Sequence, residues 1–235
     1  MDRKELNRSI ETFIANWPKD FVPSMDDLNF LRQYDKCQDA GLDEEVVFEK
    51  VWNTAMKMDE GNPADGTFDG NCLITHGGSG KAISSAPEGI SFHVMNDEYY
   101  CHVITKCLTS GRSSQNFMRY DFGSIAEYFY VKENTNLPSY DLVLCHPPRK
   151  CPYAELDNME MMANIAEKDA RVYYAVRAFD FLSEDGVLMV IVDRADYKRI
   201  HDRIVEALFA KNGLGFYFTT PSEAGDEFIL KYERL

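Results

Sequence analysis

The sequence predicts an α/β fold, in which a mostly parallel sheet carries helices on both faces and ends in an antiparallel hairpin. Short apolar segments alternate with amphipathic helical segments from about residue 70 onward, and this alternation is typical of parallel sheets. The clearest buried strand is the apolar run 187–192. Two last strand candidates, 215–220 and 227–232, flank the polar loop PSEAGD and are suited to antiparallel pairing.

The first 60 residues have a helical pattern instead. Ser24, followed by two acids, is a plausible helix start, and that helix is expected to run toward Gly41. A second helical face is formed by Phe48, Val51, Trp52 and Ala55. We expect these faces to cover an edge of the main domain. The turn-rich stretch 60–70 predicts a boundary, which gives an N-terminal helical region at 1–67 and an α/β domain at 68–235.

The elements of the main domain follow in order. The predicted strands are 71–75, 91–95, 116–120, 141–145, 187–192, 215–220 and 227–232. The predicted helices are 99–108, 170–182 and 197–211, the last ending at the turn signal Asn212-Gly213. No internal repeat and no low-complexity segment interrupts them.

Composition restricts the partners and the location of the protein. The net charge of −14 opposes strong nonspecific attraction to a nucleic-acid backbone, although a local basic patch is still compatible with it. No apolar run reaches the roughly 18 residues of a membrane helix, and the first residues lack a secretory signal. Six cysteines without disulfide-framework spacing favour reduced thiols. We therefore expect a cytoplasmic protein with no membrane association.

The fourth strand candidate ends in a rigid turn. The stretch SYDLVLCHPP places His146, Pro147 and Pro148 after a short apolar run. Proline cannot donate to a sheet ladder, so the strand must stop there. In open α/β sheets, ligands bind at this carboxyl edge. A strand followed by a merely stiff loop is the alternative interpretation.

The order of the turns resembles a known family. A glycine-rich turn follows strand one, a polar pair follows strand two, Asp121-Phe122 follows strand three and Pro147-Pro148 follows strand four. Residues 68–235 thus resemble class I S-adenosylmethionine-dependent methyltransferases. The closest resemblance is to the amino-methylating group that includes N6-adenine DNA methyltransferases and release-factor glutamine methyltransferases. The resemblance implies a Rossmann-like, seven-stranded sheet in the order 3-2-1-4-5-7-6, with strand seven antiparallel.

The resemblance also implies a site for S-adenosylmethionine. The residues expected to bind the cofactor are Gly78, Ser79 and Gly80 at its methionine portion, Asp97 at its ribose, and Asp121 and Phe122 at its adenine. Ile74 and Thr75 stand where the family has an acid and a proline. Three purely structural interpretations stay open: a tight strand–helix turn, an acidic helix cap at Asp97-Glu98, and an ordinary strand-end acid at Asp121. The register after strand two also allows Met95 or Asn96 as the ribose position.

The substrate end departs from the family pattern. The family has Asn, Asp or Ser, then two prolines, then an aromatic residue; this chain has His146, Pro147, Pro148 and Arg149. A neutral His146 can offer one ring nitrogen as an acceptor. Arg149 can stack on a planar base or bind an anion. The polar tail that follows, 149–169, is expected to cover the substrate site.

Three functions are therefore compatible with the sequence. The first is a methyltransferase that N-methylates an amino group, such as adenine N6 in DNA or a related planar amine. The second is a catalytically inactive methyltransferase-like protein that binds a partner or small ligand. The third is another doubly wound nucleotide-binding enzyme. A protein partner could contact the N-terminal helices. The Cys and His spacings do not match a structural zinc site, so no metal is expected.

Overall fold

The computed structural model describes residues 2–34, 49–53, 70–78, 80–111, 118–123, 125, 128–129, 139–147, 169–224 and 227–235. Its one sheet contains eight strands. They are β1 (Asn71–Ile74), β2 (Ser91–Asn96), β3 (Met118–Phe122), β4 (Tyr140–Cys145), β5 (Leu182–Asp193), β6 (Phe216–Phe218), β7 (Ser222–Ala224) and β8 (Glu227–Arg234). The helices are α1 (Arg3–Ala15), α2 (Met25–Leu31), α3 (Lys81–Ser84), α4 (Tyr99–Thr109), α5 (Ala170–Phe179) and α6 (Tyr197–Asn212), with a further helical segment at 49–53.

The strand order is β3-β2-β1-β4-β5-β8-β6, with β7 also paired to β8. Neighbours from β3 to β5 are parallel, and β8 is antiparallel to β5 and β6. The predicted fold class is thereby confirmed. The expected strand 215–220 is shorter than predicted, because β6 covers only 216–218, and a further strand, β7, forms inside the predicted polar loop; both pair with β8. Pro221 lies between them, and its lack of an N–H interrupts the ladder.

Two apolar layers cover the sheet. One layer contains buried residues of α5 and α6, among them Val176, Ile200 and Ile204, packed on Val143 and Val190. The other contains Ala82 and Ile83 of α3, with Val51 and Trp52, packed on alternate strand residues. The indole of Trp52 donates to the carbonyl of Ala82 at 2.8 Å. Successive strand residues therefore face opposite layers, as the pleat requires.

The predicted helix 170–182 is shorter than expected. Helix α5 ends at Phe179, and β5 already begins at Leu182. Pairing between β4 and β5 is irregular, because Tyr140 is aligned with Leu182 but Leu142 with Val187. Residues 183–186, which separate the predicted helix 170–182 from the predicted strand 187–192, thus lie inside β5. Asp185 there has a left-handed φ of 60°, which Asp tolerates better than most residues.

The N-terminal helices pack on α4. Ile10 of α1, Leu31 of α2 and Tyr34 are buried together with Ile104 of α4. Ser24 caps α2 as predicted, and its hydroxyl accepts from the Asp27 amide. Helix α2 nevertheless ends at Leu31 rather than running toward Gly41. The chain forms a tight turn there, because the Tyr34 amide donates to the Leu31 carbonyl, three residues back.

The boundary predicted near residue 67 lies outside the described residues and stays a prediction.

Among the described cysteines, Cys72, Cys107 and Cys145 are free, whereas Cys101 is disulfide-bonded. The expectation of reduced thiols is therefore wrong for Cys101, because sequence spacing does not reveal which thiols meet in space. Within the described part of the chain, no helix combines the length and apolarity required to span a membrane.

Candidate functional site

The carboxyl ends of β1 to β4 meet along one edge of the sheet, where the strand order reverses between β1 and β4. This reversal leaves a crevice above the strand ends, the usual ligand site of open α/β sheets. Those predicted site residues that the structure describes lie at or just after the ends of these four strands, so they share one edge.

The glycine turn after β1 has a left-handed backbone at two of its glycines. Gly78 and Gly80 have positive φ angles of 54° and 81°, which only glycine adopts without strain. The Thr105 hydroxyl donates to the Gly78 carbonyl at 2.7 Å and ties the turn to α4. Ser79, the third predicted residue of this turn, lies outside the described residues.

A glycine is required at position 77, because the loop lies close to β2 there. Its amide donates to the Met95 carbonyl at 2.9 Å. A Cβ on Gly77 would lie 2.4 Å from Cγ1 of Val94, well inside contact distance. The loop therefore lies against the end of β2 only because residue 77 has no side chain.

Asp97 lies just after β2 and is exposed, whereas Met95 and Asn96 are buried. The exposed Asp97 is thus better placed for ligand contact than the other two ribose candidates. Although it faces solvent, the protein crowding its carboxyl raises its pKa, an effect that its own backbone amide partly offsets. An exposed yet desolvated carboxyl is typical of a concave surface. Glu98, not Asp97, caps α4, through a 2.7 Å bond from the Cys101 amide.

Asp121, at the end of β3, is held by a buried polar chain. Its Oδ2 accepts from His93 Nε2 at 2.8 Å and from the Arg119 guanidinium at 2.8 Å. Burial would raise the pKa of Asp121, but the hydrogen bonds from Arg119 and His93 outweigh it and lower the pKa. The carboxylate is therefore ionised near pH 7, so His93 Nε2 carries the proton.

The other ring nitrogen of His93 completes the chain. His93 Nδ1 lies 2.5 Å from the Tyr140 hydroxyl. In a neutral His93, Nδ1 accepts from the Tyr140 hydroxyl, whereas in a protonated ring Nδ1 donates to it. Both partners come from distant strands, and the sequence carries no signal for this contact.

Phe122 follows Asp121 and is 52% exposed. Its ring lies 5.7 Å from those of Tyr99 and His102. Burial lowers the pKa of His102, so this aromatic surface carries a neutral imidazole at neutral pH. An exposed aromatic surface beside Asp121 suits a planar ring.

The end of β4 opens on a small crevice of about 10 Å³. It is lined by His146, Pro147, Arg171, Ile191, Val192, Asp193 and Glu227. Its volume is about that of one water molecule. Pro148, Arg149 and the tail expected to cover the substrate site lie outside the described residues.

Charged side chains beside this crevice form a partly buried network. Arg171 pairs with Asp169 at 2.8 Å and with Asp196 at 3.0 Å, and Arg199 pairs with Asp169 at 3.0 Å. Burial would raise the pKa of Asp169, but the bonds from the two arginines lower it. Glu227 is also buried here, 1% exposed. Acidic groups outnumber basic ones in this network, so it is poorly suited to a phosphate.

His76 is a site residue that the sequence analysis did not single out. It follows β1 directly, between the strand and the glycine turn. Its Nδ1 lies 3.0 Å from the Thr75 hydroxyl, and its buried Nε2 has no hydrogen-bond partner among the described residues. The available signal was a histidine placed between a strand end and a glycine turn. No group of three or more metal-binding side chains is found among the described residues.

No family model and no curated protein matches this sequence. Solved structures do match. One from Listeria monocytogenes, provisionally described as a class I S-adenosylmethionine-dependent methyltransferase, covers 100% of this chain and 69% of its own, at 8% identity and a TM-score of 0.57. One from Streptococcus mutans, provisionally described as an S-adenosylmethionine-dependent methyltransferase, covers 70% of this chain and 44% of its own, at 10% identity and a TM-score of 0.50.

A third structure, provisionally described as a methyltransferase, was solved with S-adenosylhomocysteine (SAH). It covers 70% of this chain and 45% of its own, at 9% identity and a TM-score of 0.50. This chain thus spans less than half the length of the last two proteins. At such low identity the likeness shows the fold alone: the chain has the Rossmann-like fold of these proteins.

Proposed function

We propose that this protein is an S-adenosylmethionine-dependent methyltransferase that transfers a methyl group to an amino nitrogen. The observation that carries the proposal is Asp121, an ionised carboxylate fixed at the end of β3 with all its described donors on one oxygen. Its other oxygen, Oδ1, has no bond from any described residue. Oδ1 is therefore suited to accept a hydrogen bond from the amino group of the cofactor's adenine.

The remaining cofactor contacts follow the same edge. Gly78, Ser79 and Gly80 would let the backbone approach the methionine portion, because no Cβ intervenes at the glycines. Asp97 would accept hydrogen bonds from the two ribose hydroxyls. Phe122 would pack on the adenine ring. The left-handed turn, the exposed carboxyl of Asp97 and the exposed ring of Phe122 support these roles.

The substrate amine would be held at the end of β4. The cofactor, when bound, supplies an electrophilic methyl group. A ring nitrogen of His146 and the carbonyl of Pro147 would accept the amine's hydrogens and aim its lone pair. Pro148 would stiffen the turn, and Arg149 would stack on a planar substrate. Such a transfer depends chiefly on alignment, which can supply several kcal/mol, roughly 7–11, of the barrier reduction.

The charges favour some amines over others. The chain has a net charge of −14, and the network beside the crevice is rich in acids. DNA is therefore a less favoured substrate than a side-chain amide or another planar amine without phosphates. Adenine N6 in DNA stays within the proposal, because the described residues do not include the whole of this edge.

A catalytically inactive binding protein is the second candidate. The crevice at His146 and Pro147 favours it, because the part of the crevice that described residues line is small. In that case the altered residues Ile74 and His146 would reflect lost chemistry, and the site would retain a ligand without transferring a methyl group.

Calorimetric titration with S-adenosylmethionine and with SAH tests the cofactor. We expect binding by the wild type, and a loss of about tenfold or more in D121A, since a hydrogen bond to a charged group is lost. The matched control is D202A, which removes an exposed acid of α6. No binding at high micromolar cofactor contradicts the proposal, and unchanged affinity in D121A contradicts the adenine assignment.

Transfer of a radiolabelled methyl group separates the two candidates. Unmethylated DNA and a protein extract are each incubated with the protein and labelled cofactor. Label in either acceptor, lost in H146A, supports the methyltransferase. Cofactor binding without label in either acceptor supports the binding protein.

A further inference from the structure

His76 has an unsatisfied polar atom at the ligand edge of the sheet. Its Nε2 is buried and lacks a hydrogen-bond partner, although the ring as a whole is partly exposed. Buried polar atoms in native proteins are almost always hydrogen-bonded, and exceptions call for an explanation such as a ligand. The described residues supply no partner, so a bound molecule is the natural candidate.

The ring cannot easily turn to satisfy that atom internally. Nδ1 is engaged with the Thr75 hydroxyl at 3.0 Å. The Tyr174 ring of α5 meets the imidazole edge to face, with centroids 4.9 Å apart. Rotating the ring by 180° would place a carbon, in place of Nδ1, beside the Thr75 hydroxyl and so lose that contact. The orientation is therefore held on two sides.

His76 also stands where the strand order reverses. The Thr75 amide donates to the Leu144 carbonyl at 3.1 Å, which holds the ends of β1 and β4 side by side. His146 lies two residues after Leu144, just beyond the end of β4. His76 thus lies between the glycine turn and the proposed substrate position, two parts of one crevice.

The charge state of His76 narrows the possible partners. Burial lowers the pKa of His76 to about 3, so its imidazole is neutral near pH 7. A neutral ring bonded through Nδ1 to a hydroxyl, which can donate or accept, leaves Nε2 free to take either role. A carboxylate or an ammonium group can therefore bind Nε2 without a charged imidazole being buried beside it.

The order of the strand ends indicates which part of the cofactor lies near His76. The proposed adenine and ribose positions lie at the ends of β3 and β2, and β1 is the next strand in the sheet. Neighbouring strands are about 4.8 Å apart, so an extended ligand continuing past its ribose reaches β1. In S-adenosylmethionine, the part that follows the ribose ends in an amino acid with both a carboxylate and an ammonium group.

We propose that Nε2 of His76 binds the amino-acid end of the cofactor. This inference rests on the proposed function, because it needs a bound cofactor. It adds a side-chain contact at the end of β1, where the resemblance implied only backbone contacts. His76 is accordingly a specificity residue that distinguishes ligands with the amino acid from those without it.

Two ligands isolate this contact. SAH carries the amino acid, whereas 5′-methylthioadenosine has the same adenine, ribose and sulfur without it. H76F keeps a ring of similar size against Tyr174 but removes both nitrogens, and H76Q keeps an amide near the position of Nε2. The control is H201F, which removes a partly buried histidine bonded to Tyr232 on the α6 side. Calorimetry gives the dissociation constants, and thermal melting monitors folding.

We expect H76F to weaken SAH binding by about tenfold or more and methylthioadenosine binding by less than about twofold. H76Q should restore part of the SAH affinity, and H201F should change neither ligand's affinity. Equal losses for both ligands in H76F, or no loss for either, would overturn the inference while the cofactor proposal stands. A wild type that binds neither ligand would overturn both.

If H76F fails to fold, H76Q carries the test. A selective loss for SAH in H76Q, smaller than tenfold but absent for methylthioadenosine, supports the contact. An H76Q that loses affinity for both ligands alike refutes it.

Discussion

At the scale of single residues, the candidate site is fixed by bonds between distant parts of the chain. Tyr140, His93 and Asp121 form one chain of hydrogen bonds across 47 and 28 residues of sequence. The ionised Asp121 determines the direction of its bond with His93 Nε2, because a carboxylate can only accept. A substitution at Tyr140 should therefore disturb the position of Asp121, because His93 connects the two side chains.

The pairing of Asp169 gives a pH-dependent prediction at the same scale. Burial would raise its pKa, but bonds from Arg171, Arg199 and the Arg171 amide lower it in the folded state. A depressed carboxyl pKa stabilises the fold above the unfolded value, about 4, and that contribution is lost as pH falls through the folded value. D169N retains an N-cap for α5 but removes the charge.

We expect D169N to be about 1–2 kcal/mol less stable than the wild type at pH 7, with the difference shrinking toward pH 3. Urea unfolding at several pH values measures it. D180N, which alters another arginine-paired acid at the other end of α5, is the comparison. A stability difference that does not change between pH 7 and pH 3 would contradict the charge assignment.

At the scale of elements, turns decide how closely strands and loops approach. The sequence predicted the glycine turn after β1 from its residues, and the structure adds that Gly78 and Gly80 have a left-handed backbone. It did not predict that Gly77 is needed for contact with Val94. That requirement comes from the neighbouring strand β2, which the local sequence does not describe.

Gly77 and Val94 should therefore be coupled. G77A alone places a Cβ against Val94 and should cost about 1–3 kcal/mol. V94A alone removes buried methyl groups and should cost about 1–3 kcal/mol. The double variant G77A/V94A should be less destabilised than the sum of both, because the smaller residue makes room for the Cβ. Chemical denaturation of the four proteins measures this cycle, and simple additivity would mean that the loop moves away instead.

At the scale of the whole molecule, charge and topology restrict the function together. The strand order puts the glycine turn, Asp97, Asp121 and His146 on one edge. The same edge carries the acidic network around Arg171, within a chain of net charge −14. Under the proposed function, the described surroundings of the crevice are therefore acidic and do not favour a phosphate.

Weak nonspecific DNA binding is the corresponding prediction. A chain this acidic should bind a random duplex with a dissociation constant above about 100 µM at 150 mM salt, weaker than typical nonspecific binders. Fluorescence anisotropy with a labelled duplex measures it, and a basic protein of similar size is the positive control. Micromolar binding that weakens steeply with salt would reveal a basic surface and return DNA to the favoured substrates.

The sequence by itself determined the alternation of strands and helices, the antiparallel close of the sheet and the candidate residues at its strand ends. These follow from hydrophobic periodicity and turn chemistry, which are properties of neighbouring residues. Only the tertiary structure decided that His93 and Tyr140 support Asp121, that β7 forms inside the predicted polar loop and that Nε2 of His76 has no partner among the described residues. Those features depend on which strands lie side by side, because hydrogen bonds and burial arise between residues far apart in the chain.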